Sequence, residues 1–148
     1  MKTLFVSFFI PGEPVGKGRA RSTMSGHHYT PAKTRNYEAF VKMFAIEAMG
    51  IRTPITDKPF DVSIIAYFGI PPSTPKKRRK LMVSGDIRPT KKSDADNIAK
   101  IICDSLNGIV WGDDSFVVSL HIDKIYSEHS GVVVYCSLIT PTADGGCI

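Results

Sequence analysis

No stretch of this 148-residue chain approaches the roughly 18 consecutive apolar residues of a membrane span, so no transmembrane helix is expected. Cysteine is scarce: Cys103, Cys136 and Cys147 form an odd set without metal-site spacing. That argues against a disulfide framework and for reduced thiols in a cytoplasm. The apolar start, Leu4 to Ile10, runs straight into Pro11-Gly12-Glu13-Pro14 without a small-residue cleavage pattern. It therefore reads as a first strand rather than a secretory signal. No Gly-rich loop of recognised phosphate-binding spacing occurs, and Gly16-Lys17-Gly18 is too short to stand for one. There is no internal repeat and no second core, and the length favours one domain.

What is plentiful is positive charge. Lys and Arg number 19 against 14 Asp and Glu, a net +5, and the isoelectric point is about 9.2. That balance suits a polyanionic partner. The charge is clustered in Lys17-Gly18-Arg19-Ala20-Arg21, in Lys76-Lys77-Arg78-Arg79-Lys80, and in Arg88 with Lys91 and Lys92. Such groups grip phosphates and set affinity and salt dependence rather than sequence choice. The plainer reading of each cluster is a solvated charge run.

Alternating apolar residues predict strands over residues 3–10, 60–69, 115–126 and 132–139. The segment Ser127 to Gly131 is expected to join the last two as a hairpin. Helices are expected over 34–49, with Thr34 as cap and Gly50 as stop, and over 94–107, closed by Asn107-Gly108. A short basic helix fits 73–82, and 11–33 reads as a long polar loop. The fold class is α+β: a single domain with helices packed on a small mixed β-sheet. Residues 1–140 form that domain and 141–148 a flexible C-terminal tail.

The most informative segment is Ser93-Asp94-Ala95-Asp96-Asn97-Ile98-Ala99-Lys100 at a helix start. Acidic residues there also serve as caps and meet the helix dipole, and Ser93-x-x-Asp96 fits a capping box. At about 100° per residue, Asp96, Asn97, Lys100, Asp104 and Asn107 share one polar stripe. Ile98, Ala99, Ile101, Ile102, Ser105 and Leu106 take the other side, with Cys103 at the edge. If residues 94–96 enter the helix extended, Asp94 and Asp96 point the same way. Asp113 and Asp114 follow in a short connection, where a polar turn is the bland alternative. Several carboxylates with open positions suit Mg²⁺, a hard cation that keeps several waters. Lys100 would add positive charge beside a phosphate.

Asp94-Ala95-Asp96-Asn97-Ile98-x-Lys100, then Asp104-x-Leu106-Asn107-Gly108, then Asp113-Asp114 before Phe116-Val117-Val118, resembles the core of the RusA family of Holliday-junction resolvases. Ile10 to Arg21 and Pro71 to Arg78 resemble the phage and prophage branch of that family, so the similarity runs from about residue 4 to 138. The resemblance implies a Mg²⁺-dependent homodimer, with Mn²⁺ as a substitute, that nicks opposed strands of a four-way DNA junction in recombination and repair. It implies a bacterial cytoplasm as the setting. It also implies Asp94, Asp96 and Asp114 as catalytic metal carboxylates, Asp113 as an auxiliary one, and Lys100 as the essential lysine. The expected DNA-binding residues are Lys17, Arg19, Arg21, Lys76, Lys77, Arg78, Arg79, Lys91 and Lys92. Ser93 stands where the phage branch commonly has Pro, which touches loop geometry rather than ligand chemistry. The N-terminal region differs from the founding resolvase, so DNA contacts do not transfer.

Three other readings compete. They are a non-catalytic nucleic-acid-binding domain, an Asp-x-Asp transferase, and a metal nuclease acting on other branched DNA. The remaining polar candidates have structural readings: loop surface for His27 and His28, strand packing for His121, core or interface for Trp111 and Phe116. Cys103 has no evident histidine to activate it.

Overall fold

Phe60, Val62, Ile64, Ala66 and Phe68 alternate along one strand and are all buried, which places that strand at the centre of the molecule. The structure is a computed structural model describing residues 1–18, 21–29 and 31–141. The expected tail lies outside the described residues from 142 onward. In chain order the elements are β1 (Lys2–Pro11), β2 (Arg21–Ser22), β3 (His28–Tyr29), α1 (Ala32–Met49), β4 (Phe60–Gly69), α2 (Lys76–Ser84), α3 (Ala95–Ser105), a single 3-10 turn (Asp114–Phe116), β5 (Val117–Ser127) and β6 (Gly131–Ile139).

Four strands form one mixed sheet in the order β1-β6-β4-β5. β6 is antiparallel to both β1 and β4, whereas β5 runs parallel to β4. This corrects one expectation: β5 and β6 are consecutive but do not pair as a hairpin. β4 lies between them, and the β5–β6 turn crosses its end, where Ile70 N–H donates to the Ser127 carbonyl at 3.1 Å. The reason is burial. β4 carries the alternating buried residues of the core, and a strand in the interior needs its backbone groups paired on both edges.

One face of the sheet receives α1 and α3. Tyr37, Val41, Ala45 and Met49 recur at helical spacing on α1 and join Val6 and Ile10 of β1 in the core. Ile98, Ala99, Ile101, Ile102 and Cys103 of α3 are buried, followed by Leu106. The apolar side of α3 is therefore the one the sequence pattern predicts, with Cys103 inward. The other sheet face leaves Leu4, Phe9 and Tyr135 exposed.

Thr34 is not a helix cap. Pro31 occupies that position without a side-chain bond, and Thr34 is buried, accepting from Gly18 N–H at 3.0 Å. The loop between β1 and α1 holds the small β2–β3 pair, Arg21 with Tyr29 and Ser22 with His28. No helix among the described residues is long and apolar enough to cross a membrane.

Candidate active site

Asp94 sits at the start of α3 in extended conformation (φ −70°, ψ 149°), and its side chain caps nothing. Ser93 does not cap either; its Oγ accepts from Gly16 N–H at 2.9 Å. So the capping account of this segment fails on both residues, and the Asp94 carboxylate remains exposed.

Asp96 and Lys100, one turn apart, then face a cleft of about 630 Å³ between α3 and β5. Asp114 lies on the same cleft, whose apolar wall is Ala95, Ala99, Val117, Val118 and Leu120. Asp114 arrives there because the connection after α3 is pinned. Gly108 adopts φ +79°, a left-handed turn that favours glycine. Its N–H donates to the Trp111 carbonyl at 2.7 Å. Trp111 is fully buried, meets Phe60 edge-on at 5.2 Å, and donates from Nε1 to Asn107 at 3.0 Å. Trp111 is thus a core anchor. Gly112 N–H donates to the Ile55 carbonyl at 3.2 Å, and the 3-10 turn then turns Asp114 back toward α3.

The two adjacent carboxylates differ. Asp113 is exposed, and its Oδ2 accepts from Ser115 N–H at 3.1 Å; the hydrogen bonds from Ser115 hold its pKa below the ordinary value. Asp114 is pushed the other way by a hydrogen bond shared with the Asp104 carboxyl, then by burial and the charges of Asp104 and Asp113, against the pull of Lys100. Close carboxylates that disfavour joint ionisation attract a cation. Cys103, beside them, is raised to about 12, first by burial and then by Asp114 and Asp104. It is an inert thiol rather than a nucleophile.

Asp104 was legible as part of the polar stripe, but its place at the site was not. Its Oδ2 is 3.7 Å from Lys100 Nζ, an i,i+4 pair, and 3.4 Å from Lys17 Nζ. Spacing alone gives the first contact; the second, and the approach to Asp114, come from tertiary packing.

Lys17 is therefore not a free phosphate grip. It bonds Glu38 at 3.0 Å as well as Asp104, and its side chain is 22% exposed. Burial opposes its charge, but the hydrogen bond and charges of Glu38 and Asp104 outweigh that and raise its pKa. Arg19 and the side chain of Arg21 lie outside the described residues. Lys76, Lys77 and Arg78 are exposed on α2, and Arg79 pairs with Glu128 at 3.4 Å. Lys91 and Lys92 are exposed just ahead of α3. His27 is exposed in the turn between β2 and β3, His28 is exposed on β3, and His121 is exposed with Nε2 2.9 Å from Asp123.

No group of three His, Cys, Asp or Glu side chains among the described residues is drawn together tightly enough to hold a metal by itself. The donor chemistry nevertheless fits a hard cation. Asp96 and Asp114 offer carboxylate oxygens on one cleft, and Mg²⁺ commonly takes one or two carboxylates plus waters and phosphate.

Two comparisons bear on this arrangement. The family described as Endodeoxyribonuclease RusA matches residues 11–136. An uncharacterized protein of Bacillus subtilis (strain 168), YqaN, is 35% identical over 134 residues, 87% of this chain and 93% of that protein.

Proposed function

The chain belongs to the RusA family of endodeoxyribonucleases, and from that premise we propose that it is a Mg²⁺-dependent homodimer that resolves four-way DNA junctions in recombination and repair. Asp94, Asp96 and Asp114 are the metal carboxylates in this reading, and Lys100 acts at the phosphate. The observation that carries it is the convergence of Asp96, Lys100 and Asp114 on one cleft, from a helix and a turn that the chain must fold to bring together. Asp113 is chiefly the cap of its own turn, with one oxygen committed to Ser115.

A bound Mg²⁺ (or Mn²⁺) would polarise the scissile phosphate and favour deprotonation of an attacking water. The protein's own groups supply the rest. Asp96 and Asp114 fix where the cation sits. Lys100, with a side chain 61% exposed, can reach a phosphate and oppose the charge that develops on it. Val117, Val118 and Leu120 give the cleft an apolar wall. Lys76, Lys77, Arg78, Lys91 and Lys92 offset the repulsion between the acidic cleft and DNA. A four-way junction has approximate twofold symmetry, and a C₂ homodimer presents two related sites for paired cuts.

The test is cleavage of a labelled four-way junction and a matched linear duplex, with Mg²⁺ and with EDTA, by wild type and Asp96→Asn. The expected result is paired, Mg²⁺-dependent nicking of the junction alone, lost in the variant while junction binding persists. Turnover by Asp96→Asn at matched Mg²⁺ would remove the assignment. Binding without cleavage by the wild type would leave a DNA-binding protein.

A further inference from the structure

The segment from Val15 to Gly18 is a strap laid between α1 and the start of α3. Gly16 N–H donates to Ser93 Oγ at 2.9 Å, Lys17 N–H to the Asn97 carbonyl at 2.9 Å, and Gly18 N–H to Thr34 Oγ1 at 3.0 Å. The fit leaves no room for side chains at the glycines. A methyl group on Gly16 would stand 2.8 Å from Ser93 Cβ, and one on Gly18 would stand 2.7 Å from Thr34 Oγ1. Between these glycines the strap delivers one ammonium into the seam, that of Lys17.

Lys17 Nζ reaches Glu38 Oε1 on α1 and Asp104 Oδ2 on α3. The same Asp104 oxygen is 3.7 Å from Lys100 Nζ, so two lysines share one carboxylate. The three partners in the Lys17 cluster are only 19–22% exposed, where charges are less screened than at an open surface. Lys100, by contrast, is mostly in solvent. The division of labour follows from that difference. With Lys17 in place, Asp104 is already neutralised from behind and needs little from Lys100. Without it, an uncompensated carboxylate would sit one turn from Lys100 and against Asp114, drawing the lysine inward and competing for any cation nearby.

We propose that Lys17 is a positioning residue: by satisfying Asp104 from the seam between α1 and α3, it leaves Lys100 and Asp114 free to engage the phosphate and its cation. The proposal rests on the nuclease reading of the cleft, and it replaces a role for Lys17 in gripping DNA.

The test uses the full chain as wild type, Lys17→Met and Lys17→Arg. Single-turnover junction cleavage at saturating Mg²⁺ should fall about 10–100-fold in Lys17→Met, the scale of lost outer-shell partners at metal sites, and recover in Lys17→Arg. Equal rates in all three would overturn the proposal. Junction binding in EDTA should keep its salt dependence in Lys17→Met. A slope lower by about 1 would make Lys17 a phosphate contact and overturn it too. The Lys100 Cε resonance of the metal-free protein should move in Lys17→Met and stay in Lys17→Arg; an unmoved signal counts against the proposal. Should wild type not cleave, the nuclease reading fails, and this resonance still decides whether Lys17 governs Lys100. Should Lys17→Met not fold, Asp104→Asn with and without Lys17→Met decides it. With the carboxylate removed, the second change should leave cleavage where Asp104→Asn put it, and a further fall would mean that Lys17 acts elsewhere.

Discussion

Asp113 and Asp114 are neighbours in sequence and carry the same side chain, yet their surroundings give them different work. Asp113 spends an oxygen on Ser115 N–H and stays in solvent, with its pKa lowered by that bond. Asp114 is partly buried, faces the cleft, and has its pKa raised chiefly by the neighbouring Asp104 carboxyl. Asp114→Asn should therefore cost junction cleavage more than the ~10–100-fold typical of outer-shell changes, and Asp113→Asn no more than that range. Initial rates of both variants at one Mg²⁺ concentration check the ordering. A larger loss at Asp113 would mean that its second oxygen, not its neighbour, meets the cation. The doublet was legible in the sequence, but its division was not, because the 3-10 turn that separates the two directions is set by Trp111 and Gly112 docking on distant residues.

At the scale of elements, the strap depends on the absence of a side chain at Gly16. Gly16→Ala would place a carbon 2.8 Å from Ser93 Cβ and 3.0 Å from Asn97 Cβ. Either the strap lifts or the start of α3 moves, at a cost of about 1–3 kcal/mol for an overpacked contact. A urea unfolding midpoint equal to wild type would show that the seam has slack. Local pattern made most elements readable: residues 60–69 are β4 to the residue, and α3 buries the predicted side. The misreadings share one cause. The hairpin of β5 with β6 and the cap at Thr34 both follow from near neighbours in sequence. Each is overruled by a partner far along the chain: β4 for the strands and Gly18 for Thr34. The ion pairs of Lys17 with Glu38 and Asp104 are likewise tertiary and carry no local pattern. The β2–β3 pair escaped because two-residue strands carry no periodicity.

At the scale of the whole molecule, three weak acids among the described residues are held neutral in or beside the core. Tyr37 and Cys103 are each pushed to about 12, Tyr37 by burial and Cys103 by burial and then by Asp114 and Asp104. Cys136 is pushed up as well, mainly by burial. In the unfolded chain the thiols ionise near about 8.5 and the phenol near about 10. The folded state therefore binds these protons more tightly. Its stability is complete below about pH 8.5 and declines as pH climbs toward 12, because only the unfolded chain gains from ionisation. Urea unfolding at pH 7, 9 and 10.5 should give a free energy that already falls between the first two, as the unfolded thiols begin to ionise, and falls further at the third, where the phenol joins them. Iodoacetamide should likewise label Cys103 and Cys136 at pH 9 only once urea has opened the fold, since the thiolate is the reactive form. Rapid labelling of either cysteine in the native protein would mean that the core beside the cleft opens without global unfolding. Cys103 would then sit at a mobile wall of the site rather than a rigid one.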